Sequence, residues 1–276
     1  MRTIAHLSDL HFGRINPAIP PALSLAIAAA KPNLVVVSGD LTQRARRGEF
    51  RAARQFLETL PQPQLVVPGN HDMPLYNVMA RWLDPLSRYR RFVTDNLQPY
   101  FEDDELAVLG INTARASTFK NGRVNTGQIV HACERLSAST TEKTRIIVTH
   151  HPFDLPQNGD AAVLVGGARL AMAGFAESRV DLILSGHLHG NHAADSSARY
   201  GGNNRPVLLV QAGTATSTRL RGEENSFNLL HVDADGIRVD CMVWNEAGGS
   251  FALMQTGKFV RNGQSLSRLS ESTPPQ

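Results

Sequence analysis

Residues of the types that bind metal ions follow five separate apolar runs in this 276-residue sequence. They are Asp9 and His11, Asp40, Asn70, His150, and His187 and His189. Each run is predicted to be a β-strand, and in open α/β sheets the loops at the carboxyl ends of the strands converge on the ligand site. Such residues at five strand ends therefore predict a metal centre on these loops.

A glycine directly precedes a candidate ligand in three of the loops, at Gly39, Gly69 and Gly186. Glycine permits a sharp turn and lets the backbone approach an ion or a phosphate closely. Each motif alone has an ordinary structural explanation, because a lone Asp after a strand usually caps a helix or a turn, and most histidines are hydrogen-bonded within the fold. Only the complete series favours metal binding.

Other chemistries lack support in the sequence. There is no G-x-S-x-G nucleophile elbow, phosphate-binding P-loop, G-x-G-x-x-G turn or H-E-x-x-H pair. A serine hydrolase built on Ser8, Asp9 and a histidine has no motif behind it. The two cysteines, Cys133 and Cys241, are too few for a thiolate zinc site and do not indicate a disulfide framework.

The elements that must position these residues are short strands that alternate with helices in the first half of the chain, followed by an antiparallel section. The predicted strands are Thr3 to Ser8, Leu34 to Val37, Leu65 to Val67, Leu106 to Ile111, Arg145 to Thr149, Val180 to Leu184, Pro206 to Gln211, Phe227 to Val232 and Ile237 to Val243. The predicted helices are Glu49 to Leu60, Val78 to Phe92, Thr126 to Ser137 and Arg169 to Glu177. The second of these places Val78, Trp82, Leu86 and Tyr89 on one face.

Composition predicts one globular domain over residues 1–261 and a disordered, Ser- and Pro-rich tail over 262–276. No apolar run has the length of a membrane span or a signal peptide, so we expect a cytoplasmic protein. The net charge is +3, with an arginine cluster at Arg44, Arg46, Arg47, Arg51 and Arg54. We interpret this cluster as a solvated helix face. Nucleic acid is not favoured as a binding partner, and contact of the arginines with a phosphate-bearing partner stays open.

The chain resembles the calcineurin-like metallophosphoesterase superfamily, whose pattern is D-x-H, G-D, G-N-H-[DE], a single H, and G-H-x-H. Here the motifs are Asp9-Leu10-His11, Gly39-Asp40, Gly69-Asn70-His71-Asp72, His150 and Gly186-His187-Leu188-His189. The similarity spans about Thr3 to Thr214 and is greatest to the bacterial class III cyclic nucleotide phosphodiesterases. It implies an αββα sandwich, in which two packed sheets are flanked by helices.

The resemblance also implies two metal ions bridged by Asp40. Asp9, His11, Asp40 and His189 would hold one ion, and Asp40, Asn70, His150 and His187 the other. Imidazole and carboxylate donors without thiolate suit Mn²⁺, Fe or Zn²⁺, and two such ions activate a shared water as hydroxide for attack on a phosphodiester.

Other residues are predicted to touch the substrate rather than to bind only metal. His71 would contact the phosphate and assist the leaving group, with Asp72 orienting it, and Asn70, Arg14 and His151 are further candidates for substrate contact. We expect His150 and not His151 to bind metal, because alternate side chains at a strand end point to opposite sides.

A cyclic nucleotide or another small phosphodiester is the first substrate hypothesis. The alternatives are a nucleotide-sugar lipid pyrophosphatase of the UDP-diacylglucosamine type, with an apolar groove around Tyr76 to Phe92, then a DNA nuclease, then a non-catalytic scaffold on the same fold. A homodimer is left open, as are the identities of the metals.

Overall fold

The structure, a computed structural model, describes residues 1–155, 163–201, 205–219, 222–263 and 265–269. Its strands are β1 (Arg2–Leu7), β2 (Leu34–Val37), β3 (Gln64–Val66), β4 (Tyr100–Glu102), β5 (Leu106–Gly110), β6 (Thr144–Val148), β7 (Leu182–Ser185), β8 (His192–Asp195), β9 (Leu208–Gln211), β10 (Ser226–Val232), β11 (Gly236–Asn245), β12 (Ser250–Asn262) and β13 (Ser265–Arg268). Its helices are α1 (Ile19–Ala30), α2 (Arg47–Thr59), α3 (Val78–Leu83), α4 (Ser87–Phe92), α5 (Thr126–Ser137), α6 (Ala168–Glu177) and α7 (Ser197–Tyr200), with a 3₁₀ turn at Asn70–Asp72.

Two mixed sheets form the centre of the fold, which confirms the predicted αββα sandwich. One has the order β13-β12-β11-β10-β1-β2-β3 and the other β4-β5-β6-β7-β9-β8. The alternation of side chains along β2 shows how one strand serves two cores. Leu34 and Val36 enter the core between the sheets, while Val35 and Val37 pack beneath α1, α2 and α4. A third core lies between the second sheet and helices α5 and α6.

Helix α1 was not among the predicted helices. The apolar run that forms it contains Pro20 and Pro21 at its beginning. Proline is compatible with the first turn of a helix, where the backbone N–H groups have no intrahelical partner. Helix α1 therefore begins at Ile19 and buries Leu23 and Ile27 against the first sheet.

The predicted helix from Val78 to Phe92 is wrong, because the segment forms two helices that are separated at Asp84. Asp84 precedes Pro85 and adopts φ −152° and ψ 80°, as expected for a residue whose α conformation is disfavoured by the following proline. The predicted apolar face is also divided: Leu86 and Tyr89 are buried, but the side chains of Val78 and Trp82 are each 63% exposed.

Strands β4, β8, β12 and β13 were not predicted either. β12 is largely exposed and is defined by its pairing with β11, so it lacks the apolar alternation of a half-buried strand. The predicted disordered tail is wrong for Ser265–Arg268, which pair with β12, while residues 270–276 lie outside the described ranges. None of the helices in these ranges combines the length and the apolar character needed to cross a bilayer.

Candidate metal centre

All seven predicted ligands lie two to four residues beyond the carboxyl ends of five strands. In the first sheet β1, β2 and β3 are parallel neighbours, and in the second sheet β6 and β7 are parallel neighbours. The two sheets bring these strand ends to the same edge, so that donors from both meet there.

One group of donors comprises Asp9, His11 and His189, and all three side chains are buried. Nε2 of His11 lies 3.2 Å from Nε2 of His189, and Oδ1 of Asp9 lies 3.4 Å and 3.2 Å from these two atoms. Donor atoms bound to one ion at about 2.1 Å are roughly 3.0 to 3.4 Å apart, so these separations suit a shared cation.

A second group comprises Asp40, Asn70, His150 and His187. Nε2 of His150 lies 3.3 Å from Oδ2 of Asp40, 3.2 Å from Oδ1 of Asn70 and 3.3 Å from Nδ1 of His187. Oδ2 of Asp40 is also 3.8 Å from Nε2 of His11 in the first group. This carboxylate therefore lies between the two groups, in the position of a bridging ligand.

Five of the seven predicted ligands have backbone φ angles in the left-handed region, at Asp9 (53°), His11 (49°), Asp40 (52°), His187 (75°) and His189 (64°). This conformation is uncommon for residues other than glycine and costs of order 1–3 kcal/mol each. Its concentration at the ligands shows that the loops hold their side chains inward at the expense of local backbone strain.

The three glycines before the ligands allow close packing of the loops, as predicted from the sequence. A Cβ at Gly186 would lie 1.7 Å from Oγ of Ser8, and one at Gly69 would lie 2.1 Å from Oδ1 of Asp40. A Cβ at Gly39, whose φ is 96°, would lie 2.6 Å from Nδ1 of His150. No side chain fits at any of these positions without displacing a neighbour.

Backbone carbonyls fix the orientation of two ligand imidazoles. Nδ1 of His150 lies 2.8 Å from the Ser38 carbonyl, and Nδ1 of His189 lies 2.9 Å from the Arg219 carbonyl. Each Nδ1 therefore carries a hydrogen and donates it, so Nε2 is the nitrogen that offers its lone pair to an ion when it carries no proton. This is the tautomer that binds a metal ion.

The electrostatics of the centre also fit cations. Oδ1 of Asp9 is buried and accepts no hydrogen bond from the described residues. Burial lowers the pKa of His150, but the carboxylates of Asp40 and Asp9 outweigh it and raise this pKa to about 9. The histidines in turn hold the pKa of Asp40 well below its usual range despite burial. Two cations would satisfy these carboxylates in place of protons, so the residues present fit the two ions that the donor set implies.

His71 lies at the rim of the centre and contacts it through its backbone and its ring. Its N–H donates to Oδ1 of Asp40 at 2.8 Å, and its Nδ1 lies 2.8 Å from the Gln43 carbonyl. Its Nε2 lies 3.2 Å from Nη1 of Arg219. A guanidinium has only donors, so Nε2 accepts this hydrogen bond and Nδ1 donates to Gln43. His71 is thus held as the Nδ1–H tautomer.

The hydrogen bonds of Asp72 do not go to the imidazole of His71, which it was predicted to orient. Its buried carboxylate accepts hydrogen bonds from the backbone N–H groups of Gly69, Leu41 and Thr42 and from the Thr42 hydroxyl, at 2.9 to 3.2 Å. Burial and the charge of Asp40 raise the pKa of Asp72 to about 7, against the lowering effect of the backbone donors. These contacts tie the loop of Asp40 to the loop of Asn70, which is a positioning role.

His151 is fully buried, and both of its ring nitrogens are bonded within the protein. Nδ1 lies 2.7 Å from the Thr113 hydroxyl, and Nε2 lies 2.9 Å from the Lys120 carbonyl. Its position does not support the predicted substrate contact. The alternation argument was also wrong, because β6 ends at Val148 and the rings of His150 and His151 lie together with centroids 4.9 Å apart.

Arg14 is exposed on the loop after His11, and its carbonyl accepts from the Thr218 N–H at 3.0 Å. Its substrate contact stays a prediction. Sequence reasoning missed Arg219, which follows the last family motif by thirty positions and carries no motif of its own. A polar run, Thr214 to Arg219, directly after the apolar segment of β9 was the only signal.

A sequence model of the calcineurin-like phosphoesterase family matches residues 2–191. A protein named glycerophosphodiester phosphodiesterase, from Enterobacter lignolyticus, is 28% identical over 163 residues, which are 55% of this chain and 58% of that protein. A probable cyclic nucleotide phosphodiesterase from Synechococcus is 24% identical over 205 residues, 68% of this chain and 73% of that protein. This chain thus spans less than two thirds of the length of the first relative.

Two solved structures share the fold. A purple acid phosphatase from yellow lupin superimposes with a TM-score of 0.73 at 11% identity, over 100% of this chain and 57% of that one. A dimetal phosphatase from Danio rerio gives 0.64 at 13% identity, over 87% and 95% of the two chains. At this level of identity the likeness concerns the fold alone.

Proposed function

Because this chain belongs to the calcineurin-like phosphoesterase family, we propose that it hydrolyses a small phosphodiester at a centre of two metal ions. The observation that carries the proposal is the convergence of donors around Asp40. The carboxylate of Asp40 lies 3.3 Å from a ligand of one group and 3.8 Å from a ligand of the other. Two ions held there would lower the pKa of a water and neutralise charge on the phosphate oxygens.

The chain's own residues supply orientation and charge around this centre. Asn70 offers its Oδ1 toward His150, and its Nδ2 donates to the Phe119 carbonyl at 3.3 Å. Arg219 and His71 lie on the rim, where a phosphate bound at Asp40 would meet them. When Arg219 binds a phosphate oxygen, it gives up its contact with His71. Nε2 of His71 then takes up a proton from water and donates it to the leaving oxygen, while Nδ1 still donates to the Gln43 carbonyl.

Phosphodiesters are favoured over other esters by the names of two relatives, one a glycerophosphodiester phosphodiesterase and one a probable cyclic nucleotide phosphodiesterase. Both substrates present a single negative charge on phosphorus and a polar alcohol as the leaving group. A cyclic nucleotide remains the first candidate and a glycerophosphodiester the second. The scaffold alternative is disfavoured because all seven predicted ligands are present and converge.

The test is hydrolysis by the metal-loaded protein of a panel that contains cyclic nucleotides, glycerophosphodiesters and bis(p-nitrophenyl) phosphate. His150→Ala removes a ligand and should abolish turnover of every substrate. His131→Ala replaces an exposed histidine on α5 and serves as the matched control, which should retain full activity. Absence of turnover with two ions bound, or equal activity of the two variants, would refute the proposal.

A further inference from the structure

Helix α3 has the reverse of the usual orientation for a surface helix. At 100° per residue, Val78, Met79, Trp82 and Leu83 share one face, and their side chains are 63%, 73%, 63% and 79% exposed. Arg81, on the opposite face, is buried. The helix therefore points its charged residue inward and its four large apolar residues outward.

Contacts of Arg81 fix this orientation. Its guanidinium donates to the carbonyls of Pro74, Ala116 and Thr118 at 2.5 to 3.1 Å, and it lies 4.7 Å from the ring centroid of Phe119. These bonds satisfy the buried charge and tie α3 to residues 116–119. Rotation of α3 to bury its apolar face would break all of them, so the exposure is built into the fold.

We call the exposed apolar residues of α3 and its neighbours the apolar patch. It consists of Val78, Met79, Trp82 and Leu83 on the helix, Tyr76 just before it, and Phe119, whose ring lies against Arg81. Monomeric soluble proteins rarely expose a contiguous apolar surface of this kind, and where they do it marks a site of contact with a protein, a ligand or a membrane. The patch adjoins the metal centre, because the Phe119 carbonyl accepts from Asn70.

Positive charge lies beside the apolar patch. Nine arginines and four acidic residues lie between positions 44 and 91, so this segment carries +5, while the whole chain carries +3. Arg44, Arg46, Arg47 and Arg51 are exposed, and the Arg44 guanidinium lies 5.7 Å from the ring centroid of Tyr76. The arginine cluster of the sequence analysis therefore adjoins the patch through Arg44.

We propose that the apolar patch and its arginines dock on the surface of an anionic lipid bilayer. Exposed Trp, Tyr and aliphatic side chains beside arginines have the composition of interfacial membrane anchors, in which the apolar residues enter the headgroup region and the cations bind lipid phosphates. A second copy of the chain is disfavoured, because a two-fold interface would bring two segments of +5 together. Docking would present the metal centre to phosphodiesters at or near the membrane.

The experiment uses the intact metal-loaded protein and two kinds of vesicle, one of phosphatidylcholine and one of equal parts phosphatidylcholine and phosphatidylglycerol. The chain has two tryptophans, and Trp244 is buried, so a blue shift of the emission reports Trp82 entering the bilayer. We expect cosedimentation and a blue shift with the anionic vesicles only, and loss of binding on raising the salt concentration.

The variant Val78→Ser/Met79→Ser/Leu83→Ser keeps the tryptophan reporter and should bind anionic vesicles roughly tenfold or more weakly, because three apolar side chains no longer enter the bilayer. The control Leu253→Ser/Met254→Ser changes two apolar residues on β12 that are 57% and 63% exposed, and it should bind like the parent. Failure to bind anionic vesicles, equal binding by both variants, or patch-dependent dimerisation in light scattering would each overturn the proposal. Vesicle binding requires no turnover, so the result is independent of the proposed hydrolytic function.

Discussion

Replacement of Asp72 by Asn is expected to loosen the two loops that carry Asp40 and Asn70. Each carboxylate oxygen of Asp72 accepts two hydrogen bonds. Oδ1 receives the N–H and hydroxyl of Thr42, and Oδ2 receives the N–H groups of Gly69 and Leu41. In the amide, one oxygen becomes an NH₂ group, which faces donors and cannot accept from them.

The cost follows from the number of donors left without a partner. The less damaging orientation places the NH₂ group toward Thr42, whose hydroxyl rotates to accept, and leaves one buried backbone N–H unsatisfied. A buried unsatisfied donor costs about 1–3 kcal/mol, and the remaining bonds lose their charge, so we expect about 2–4 kcal/mol in total. This corresponds to a fall in Tm of roughly 5 to 15 °C.

Calorimetry and metal analysis of Asp72→Asn measure this effect, and Thr42→Val is the matched control. Thr42→Val removes only the hydroxyl and retains the three backbone donors, so it should lower stability by about 1 kcal/mol and retain both ions. Asp72→Asn should also bind the ions more weakly, because Asp40 and Asn70 lose their common support. If Asp72→Asn left Tm and metal content unchanged and lowered only kcat, the positioning role would be refuted. Asp72 would then orient His71, as the sequence analysis predicted.

Three further outcomes are expected. A Cβ at Gly186 would lie 1.7 Å from Oγ of Ser8 and 2.6 Å from Oδ2 of Asp9, so Gly186→Ala should bind less metal, as measured by elemental analysis. The control Gly48→Ala, whose Cβ would have nothing within 4 Å, should keep its metal. The raised pKa of about 9 keeps His150 protonated at neutral pH when no metal is bound. Titration calorimetry should therefore show that metal binding releases a proton and that metal affinity rises with pH up to about 9. A metal affinity independent of pH would contradict this. His71→Ala should retain both ions and slow an alkyl phosphodiester about 10² to 10⁴-fold but a nitrophenyl ester much less, and equal losses on both esters would refute leaving-group assistance.

Residue types and spacing were sufficient to predict which candidate ligands lie together, because each follows a strand that the apolar pattern reveals. Asp9 and His187 lie 178 positions apart, yet the N–H of His187 donates to the Asp9 carboxylate at 2.8 Å. The sequence predicted that the loops at the carboxyl ends of the strands converge. The packing of the two sheets, with β1 in one and β7 in the other, brings these two residues together. The alternation of strands and helices predicted strand–helix units followed by an antiparallel section, and the αββα sandwich followed from the resemblance to the family.

The tasks of Asp72, His151 and Arg219 could not be predicted in this way. Each depends on a partner far along the chain: Thr42 for Asp72, Thr113 for His151, and His71 for Arg219. A side-chain type states what a residue can donate or accept, but only the packed structure decides which groups come within hydrogen-bond distance.

Helix α3 shows most clearly which features the sequence predicts and which are decided by tertiary contacts. The apolar residues of Val78 to Leu83 are plain in the sequence, where Val78 and Trp82 were assigned to the apolar face of one long helix. The direction of that face was decided by Arg81, whose buried charge is satisfied by carbonyls up to 37 positions away. Apolar periodicity identifies the residues that share a face, whereas tertiary contacts, which must satisfy every buried polar group, determine whether that face meets the core or the solvent.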